Sequence, residues 1–130
     1  MKKKIVITGG EGRFAQVLKR DNKKLDILYP SKKELNILNI NSINKYLKKN
    51  KPKYLIHAAA LSRPMNIHDK QISKSIDLNI IGTANIVKIC SELKIKLIYF
   101  STGYVYEGKI GNYNEIDPVL PVNNYAWPKL

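Results

Sequence analysis

The chain has 130 residues, enough for one hydrophobic core and too few for two ordinary domains, so we expect one domain over residues 1–130. Its formal net charge is +13, yet the excess is nearly all lysine and only three arginines are present, which disfavours nucleic-acid recognition because base contacts rely on arginine. The single cysteine excludes an internal disulfide and no apolar stretch could span a bilayer, so we expect a soluble cytoplasmic protein without membrane or nucleic-acid partners.

Short apolar runs alternate with stretches of helical periodicity, an order typical of a parallel sheet with helices on both faces. Strands are predicted at residues 5–7, 25–29, 54–58 and 97–100. Helices are predicted where apolar residues recur every three or four positions, namely at Phe14, Val17 and Leu18 and again at Ile40, Ile43 and Leu47. The predicted fold class is therefore α/β, a doubly wound parallel sheet.

The second half of the chain begins with a predicted long amphipathic helix over residues 69–93. Its predicted buried stripe consists of Ile72, Ile76, Ile80, Ala84 and Val87. Residues 103–124 contain glycines and prolines without periodicity, which predicts a long loop of the kind that often carries function. A further helix is predicted to begin at Tyr125.

A glycine-rich turn directly follows the first strand, with Gly9, Gly12 and Ala15 in the spacing G-x-x-G-x-x-A. The first glycine permits a tight turn, the second lets a pyrophosphate approach the backbone, and the alanine lets the helix lie close to the sheet. The helix N-terminus adds N–H donors and partial positive charge. Because a strand precedes the turn and a helix follows it, the pattern predicts a dinucleotide site rather than an ordinary tight turn.

The end of the second strand bears on which dinucleotide is preferred. An acidic residue about 20 positions past the first glycine usually holds the ribose 2′-hydroxyl of NAD. Residues 29–33 contain no acid and include Lys32 and Lys33, which would attract a 2′-phosphate. We therefore expect NADP(H) to be favoured over NAD(H), although lysine is frequent throughout the chain.

Three side chains are candidates for proton chemistry. Tyr125 and Lys129 are four positions apart, so a helix would project them from one face, and a nearby ammonium stabilises a phenolate whose pKa is otherwise about 10. Thr102 follows the strand at residues 97–100, where open parallel sheets place ligand-facing residues, and its hydroxyl can donate to a carbonyl oxygen. Each feature alone is common, so the prediction rests on their combination.

The remaining candidates follow the third strand or lie in the long helix. The alanine run at residues 58–60 leaves room for a flat cofactor, although close helix packing would also favour it. We interpret His57 as a buried strand histidine with satisfied hydrogen bonds rather than as a catalyst. Asparagine is unfavourable inside a helix unless its side chain has a partner, so Asn79 is expected to hold backbone or water near the site. No metal site is predicted.

In this order the motifs resemble those of the extended short-chain dehydrogenase/reductase superfamily, most closely its dTDP-4-dehydrorhamnose reductase branch. Seven segments match in sequence order, which is more specific than any one of them: residues 8–15, 35–37, 57–60, 79–83, 101–106, 121–125 and Lys129.

The resemblance implies a Rossmann-like NAD(P)-binding domain that belongs to a reductase of nucleotide-linked 4-keto-6-deoxy sugars. It covers only the N-terminal portion of that family, before the final strands of the sheet and the substrate domain, and it allows a homodimer. Thr102, Tyr125 and Lys129 match the family's catalytic residues. The implied cofactor contacts are Gly9, Gly12, Arg13, Phe14, Asn36, Ile37, Ala58, Ala59, Ala60, Asn79, Tyr125 and Lys129.

The chain also departs from the family pattern. Asn36 and Gly103 stand where the reductases usually have Asp, and Pro128 lies between the matching tyrosine and lysine. Related dehydratases have an Asp-Glu pair after the threonine, which is missing here, so dehydration is disfavoured. Two alternatives stay open: a nucleotide-sugar epimerase of the same superfamily, and a non-catalytic cofactor-binding subunit similar to the regulatory subunit of methionine adenosyltransferase.

Overall fold

The computed structural model describes residues 3–130, and its centre is one parallel sheet. The strands are β1 (Ile5–Thr8), β2 (Ile27–Leu28), β3 (Tyr54–His57) and β4 (Lys96–Tyr99), in the order β2-β1-β3-β4. The helices are α1 (Arg13–Asp21), α2 (Ile40–Asn50), α3 (Ile67–Lys70), α4 (Ile72–Ile76) and α5 (Gly82–Glu92). The predicted α/β fold with a parallel sheet is confirmed. No helix among residues 3–130 is long and apolar enough to cross a membrane.

The main core lies between the sheet and the helices α2 and α5. The chain runs outward from β1 to β2 and then back past β1 to β3, and right-handed crossovers in opposite directions place α1 and α2 on opposite faces. The buried apolar residues of this core are Val6, Leu35, Ile37, Ile43, Leu47, Leu55, Ile86, Ile89, Cys90 and Ile95. Cys90 is buried in this core, and burial raises the pKa of its thiol to about 11.

The opposite face of the sheet is covered less completely by the described residues. Ala15 is the buried residue of α1, whereas Phe14 is 49% exposed and Val17 is 45% exposed. The Phe14 ring meets the edge of Phe100, just after β4, with a centroid distance of 5.1 Å. The predicted apolar face of α1 therefore contacts the sheet mainly through its first turn.

The prediction of one long helix over residues 69–93 is wrong in both the continuity of the helix and the face that it buries. The chain is helical from α3, is interrupted at Gln71, and then runs through α4, a π-helical turn at Asp77–Ile81 and α5. The residues predicted to form its buried stripe are instead exposed, namely Ile72, Ile76, Ile80, Ala84 and Val87.

The buried positions of this helical segment include Ser75, Asn79 and Gly82, which a hydropathy pattern does not select. The two polar side chains are accommodated because each has hydrogen-bond partners inside the protein. Gly82 packs closely against Ile37, since a Cβ at this position would lie 2.6 Å from Cδ1 of Ile37. Specific contacts thus outweigh the apolar periodicity in setting the orientation of the helix.

The C-terminal part is mostly irregular, as predicted. Two single turns of 3-10 helix interrupt it, at Gly103–Val105 and at Trp127–Lys129. The helix predicted from Tyr125 is thus replaced by a turn and a short 3-10 helix. The Asn123 carboxamide accepts hydrogen bonds from the backbone N–H groups of Tyr125 and Ala126, as an N-cap residue does, and the turn that begins there continues as 3-10 helix.

Two glycines bring the turn after β1 against neighbouring backbone. Gly9 has a φ of +71°, which favours glycine, and a Cβ there would lie 3.0 Å from the backbone of Ala59. At Gly10 the approach is closer, since a Cβ would lie 2.6 Å from the carbonyl carbon of Tyr29 and from the carbonyl oxygen of Pro30. The turn can therefore touch the loops after both β2 and β3 only because these two positions lack side chains.

The substitution Gly10→Ala is expected to destabilise the protein by about 1–3 kcal/mol, because the new methyl group meets backbone rather than a movable side chain. The matched control is Gly103→Ala, since a Cβ at Gly103 has no neighbour within 4 Å and should change stability by less than about 0.5 kcal/mol. Urea unfolding of both variants measures this. Equal midpoints for the two would contradict the close approach.

Candidate active site

The loops after β1, β2 and β3 enclose a cleft of about 230 Å³ at the carboxyl ends of the strands. Open α/β sheets bind their ligands at this edge. Of the predicted cofactor residues, those that line the cleft are Gly9, Gly12, Asn36, Ile37, Ala59 and Ala60. The lining also includes Lys32 and four residues that the sequence did not single out for this site, Gly10, Glu11, Leu35 and Leu78.

The other predicted cofactor residues lie outside this lining. Arg13 is exposed at the start of α1, Phe14 contacts Phe100, and Ala58 is half-buried after β3. Asn79 is 2% exposed, and its carboxamide donates to the carbonyl of Leu61 at 2.9 Å and accepts from its N–H at 2.8 Å. Asn79 therefore holds the loop after β3, as expected of a helical asparagine with a backbone partner.

His57, the last residue of β3, joins three elements directly before the loop that borders the cleft. Its Nδ1 lies 2.7 Å from Oγ1 of Thr8 and its Nε2 lies 3.0 Å from Oγ1 of Thr83. Because the Thr8 oxygen also accepts from the N–H of Ala59 at 3.1 Å, we assign the Thr8 proton to the bond with Nδ1 and the imidazole proton to Nε2. Both ring nitrogens are thus satisfied in the neutral form.

Burial, followed by the nearby Lys129 ammonium, lowers the pKa of His57 to about 4. The neutral imidazole is therefore the form present at physiological pH. The interpretation of His57 as a satisfied strand histidine is confirmed, since only 1% of it is exposed.

Tyr125 is half-buried between two other rings. The imidazole of His68 lies 4.9 Å from the Tyr125 ring, centroid to centroid, and the Tyr104 ring lies 6.1 Å away in an edge-on arrangement. A hydrogen bond of 2.9 Å from the Asn124 carboxamide to the Asp69 carboxylate joins the same two segments through the adjacent residues. The turn that carries Tyr125 is thus attached to α3.

Lys129 is 5% exposed, and its Nζ lies 4.3 Å from the centroid of the Tyr99 ring. Burial lowers the pKa of this ammonium. Burial, with a smaller contribution from Tyr125, raises the pKa of Tyr99, so Tyr99 lies near both predicted proton-transfer residues. Since residues 125–129 do not form an α-helix, Lys129 and Tyr125 each contact a different aromatic ring rather than forming a helical pair.

Thr102 lies two residues before Tyr104 and is half-buried. Its Oγ1 accepts from the N–H of Tyr104 at 3.3 Å and caps the 3-10 helix at Gly103–Val105. The Thr102 hydroxyl proton is left to donate elsewhere, because this contact uses only its acceptor capacity.

Two residues near the site have contacts that sequence patterns do not reveal. The Glu11 carboxylate reaches the loop after β2, and His68 is 1% exposed with its Nδ1 2.7 Å from Oγ of Ser75. Within residues 3–130 the buried Nε2 of His68 has no hydrogen-bond partner. The same part of the chain contains no group of three or more His, Cys, Asp or Glu placed to hold a metal ion.

Comparison with known proteins gives a family and several relatives. A family model described as RmlD substrate binding domain matches residues 2–130. The dTDP-4-dehydrorhamnose reductase of Bacillus anthracis in complex with NADP is 30% identical, superposes with a TM-score of 0.92, and is aligned over 99% of this chain and 47% of its own. The dTDP-4-dehydrorhamnose reductase of Aggregatibacter actinomycetemcomitans is 26% identical over 97% of this chain and 44% of that protein.

A second type of relative is the methionine adenosyltransferase 2 subunit beta of Pongo abelii, which is 30% identical over 101 residues, 78% of this chain and 30% of that protein. The chain therefore spans less than half the length of each of these relatives. Its likeness to the reductases extends through the sheet, the glycine turn and the region that carries Tyr125 and Lys129.

Stability should fall in acid because of His57. Its pKa is about 4 in the folded protein and about 6.5 when unfolded, so the contribution of its neutral form is complete above about pH 7 and is lost as the pH falls toward 4. The loss should amount to roughly 3 kcal/mol. Urea unfolding between pH 7.5 and 4 measures it, and the His57→Gln variant, which cannot titrate, should show a shallower decline. Parallel declines in the two proteins would contradict this assignment.

Proposed function

The chain belongs to the RmlD substrate binding domain family, and on that premise we propose that it forms the cofactor-binding part of a nucleotide-sugar reductase. Its likeness to the dTDP-4-dehydrorhamnose reductases supports a reductase-like function. The proposed substrate is a nucleotide-linked 4-keto-6-deoxy sugar. The single observation that carries the proposal is the cleft between the glycine turn and the loops after β2 and β3, at the edge of the sheet near which Tyr125 and Lys129 lie.

The cleft fits an adenine dinucleotide for two physical reasons. Gly9 and Gly12 line the cleft and Gly12 directly precedes α1, so the N-terminus of this helix, whose N–H groups attract phosphates, adjoins the cleft. The small side chains of Ala59 and Ala60 leave space on the opposite side of the cleft. The buried Ile37 offers an apolar surface for the adenine. When bound, the nicotinamide supplies the hydride.

The proposed role of the chain's own residues is to handle the proton and the carbonyl oxygen. Tyr125 donates its phenolic proton to the C4 oxygen of the sugar, and Thr102 donates a hydrogen bond to the same oxygen. Lys129 stabilises the phenolate that Tyr125 becomes. The burial of Lys129 and the packing of Tyr125 between His68 and Tyr104 limit the motion of both side chains, which supports a preorganised arrangement.

We propose NADP(H) rather than NAD(H) as the cofactor. Lys32 lines the cleft and Lys33 lies in the adjoining depression, so both cations are near the end of β2 where the adenosine ribose binds in this type of fold. The Bacillus anthracis relative is in complex with NADP, which agrees with this choice.

A second candidate function is a cofactor-binding subunit without catalysis. It is favoured by the similarity to methionine adenosyltransferase 2 subunit beta and by Gly103, which stands where the reductases usually have Asp. Such a protein would bind NADP(H) and turn over no sugar. Binding and turnover measured on one preparation therefore separate the two candidates.

The substitution Tyr125→Phe in the full-length protein should lower kcat for NADPH oxidation by at least about a hundredfold, because the proton donor is lost while the ring remains. The test uses a dTDP-linked 4-keto-6-deoxy sugar as substrate and follows the absorbance of NADPH. Dissociation constants for NADPH should stay within about threefold of the unsubstituted protein.

The matched control is Tyr113→Phe, which removes a phenolic oxygen from the loop before the site, where it accepts from the N–H of Lys109. This variant should keep kcat within about twofold. Full activity of Tyr125→Phe would contradict the assigned role. Tight NADPH binding without any turnover by the unsubstituted protein would favour the non-catalytic candidate instead.

A further inference from the structure

The Glu11 side chain links the glycine turn to the loop after β2. Its Oε2 accepts a hydrogen bond of 3.2 Å from the backbone N–H of Lys32, 21 positions later in the sequence. Glu11 and Lys32 line the dinucleotide cleft together with Gly9 and Gly12, and both also line the depression that adjoins it. Glu11 thus places a carboxylate beside the loop after β2, although residues 29–33 of that loop include no acidic residue.

A second carboxylate, that of Glu34, accepts a hydrogen bond from the neighbouring backbone N–H group. The N–H of Ser31 donates to Oε2 of Glu34 at 2.8 Å, and the Ser31 hydroxyl donates to the same oxygen at 2.9 Å. Two successive backbone N–H groups, at Ser31 and Lys32, are therefore both bonded to carboxylate oxygens. Successive N–H groups of this kind attract anions, and here side chains of the protein take the place of one. Of the two carboxylates, only that of Glu11 lines the cleft.

This arrangement has opposite consequences for the two nicotinamide dinucleotides. In this type of fold an acidic side chain beside the ribose accepts a hydrogen bond from a free 2′-hydroxyl. A 2′-phosphate would instead meet a like charge and would have to displace Glu11 to reach the Lys32 N–H. Lys32 and Lys33, which are both exposed, attract the phosphate. The preference then depends on the balance between one carboxylate and two ammonium groups.

We propose that Glu11 is a specificity-determining residue that limits the preference for NADP(H), because its carboxylate competes with the 2′-phosphate for the backbone N–H of Lys32. The inference rests on the proposed dinucleotide site. It assigns to the glycine turn a discrimination that related sheets obtain from the end of the second strand. Glu34 serves a different purpose, since its carboxylate fixes the loop at Ser31 outside the cleft.

The test measures dissociation constants for NADPH and NADH by fluorescence titration of the full-length protein and of three variants. Glu11→Gln should raise the ratio of NADPH to NADH affinity by about five- to tenfold, because repulsion is removed while the side-chain size is kept. Glu34→Gln, the matched control, should leave the ratio within about twofold. Lys32→Met keeps the backbone N–H and loses the ammonium, so it should lower the ratio by a similar factor.

The smaller probes 2′,5′-ADP and 5′-ADP repeat the comparison on the adenosine half alone, and thermal unfolding checks that each variant is folded. If the Glu11→Gln variant is not stably folded, Glu11→Asp provides the same test. Its shorter carboxylate should form a weaker hydrogen bond with the Lys32 N–H and raise the ratio of NADPH to NADH affinity by a smaller factor. An unchanged ratio in the Glu11 variants, with both dinucleotides still bound, would overturn this inference alone. Failure of the unsubstituted protein to bind either dinucleotide would overturn the proposed function as well.

Discussion

The close approach of the glycine turn to two neighbouring loops is the constraint on which the candidate site depends. Gly9 meets the backbone of Ala59 and Gly10 meets the backbone at Tyr29, so the segments after three adjacent strands share one small volume. The cleft is the space that remains beside this contact. A side chain at either position would push the loops apart. The residues after the three strands would then no longer lie close enough to form one cleft.

Buried polar groups then fix what the glycines bring together. His57, held between Thr8 and Thr83, connects β1, β3 and α5, and Asn79 holds the backbone of Leu61. Fully paired buried hydrogen bonds are directional, so they specify one arrangement where an apolar contact would allow several. The contacts that hold these elements together are therefore polar, and the apolar core under α2 and α5 supplies the stability that offsets the burial of these groups.

The sequence predicted the features that depend on local spacing. The strand–turn–helix around Gly9 and the parallel sheet follow from periodicity and from the order of motifs, and family resemblance agrees with them. Long-range contacts were not predictable. The bond from Glu11 to the Lys32 N–H spans 21 positions and involves a backbone donor, which leaves no residue pattern. Tyr125 and Lys129 were paired through a predicted α-helix, whereas residues 124–129 form a turn followed by a short 3-10 helix.

The segment from α4 to α5 buries Ser75 and Asn79 while its isoleucines at 72, 76 and 80 face outward. Along this segment, tolerance to substitution is expected to follow hydrogen-bonding capacity rather than hydropathy. A lysine in place of an outward isoleucine would meet solvent, whereas leucine in place of either buried polar residue would lose its hydrogen bonds. Any scoring scheme that rewards apolar content would rank the harmful changes as improvements. Substitution is therefore restrained at positions whose hydropathy does not mark them as buried.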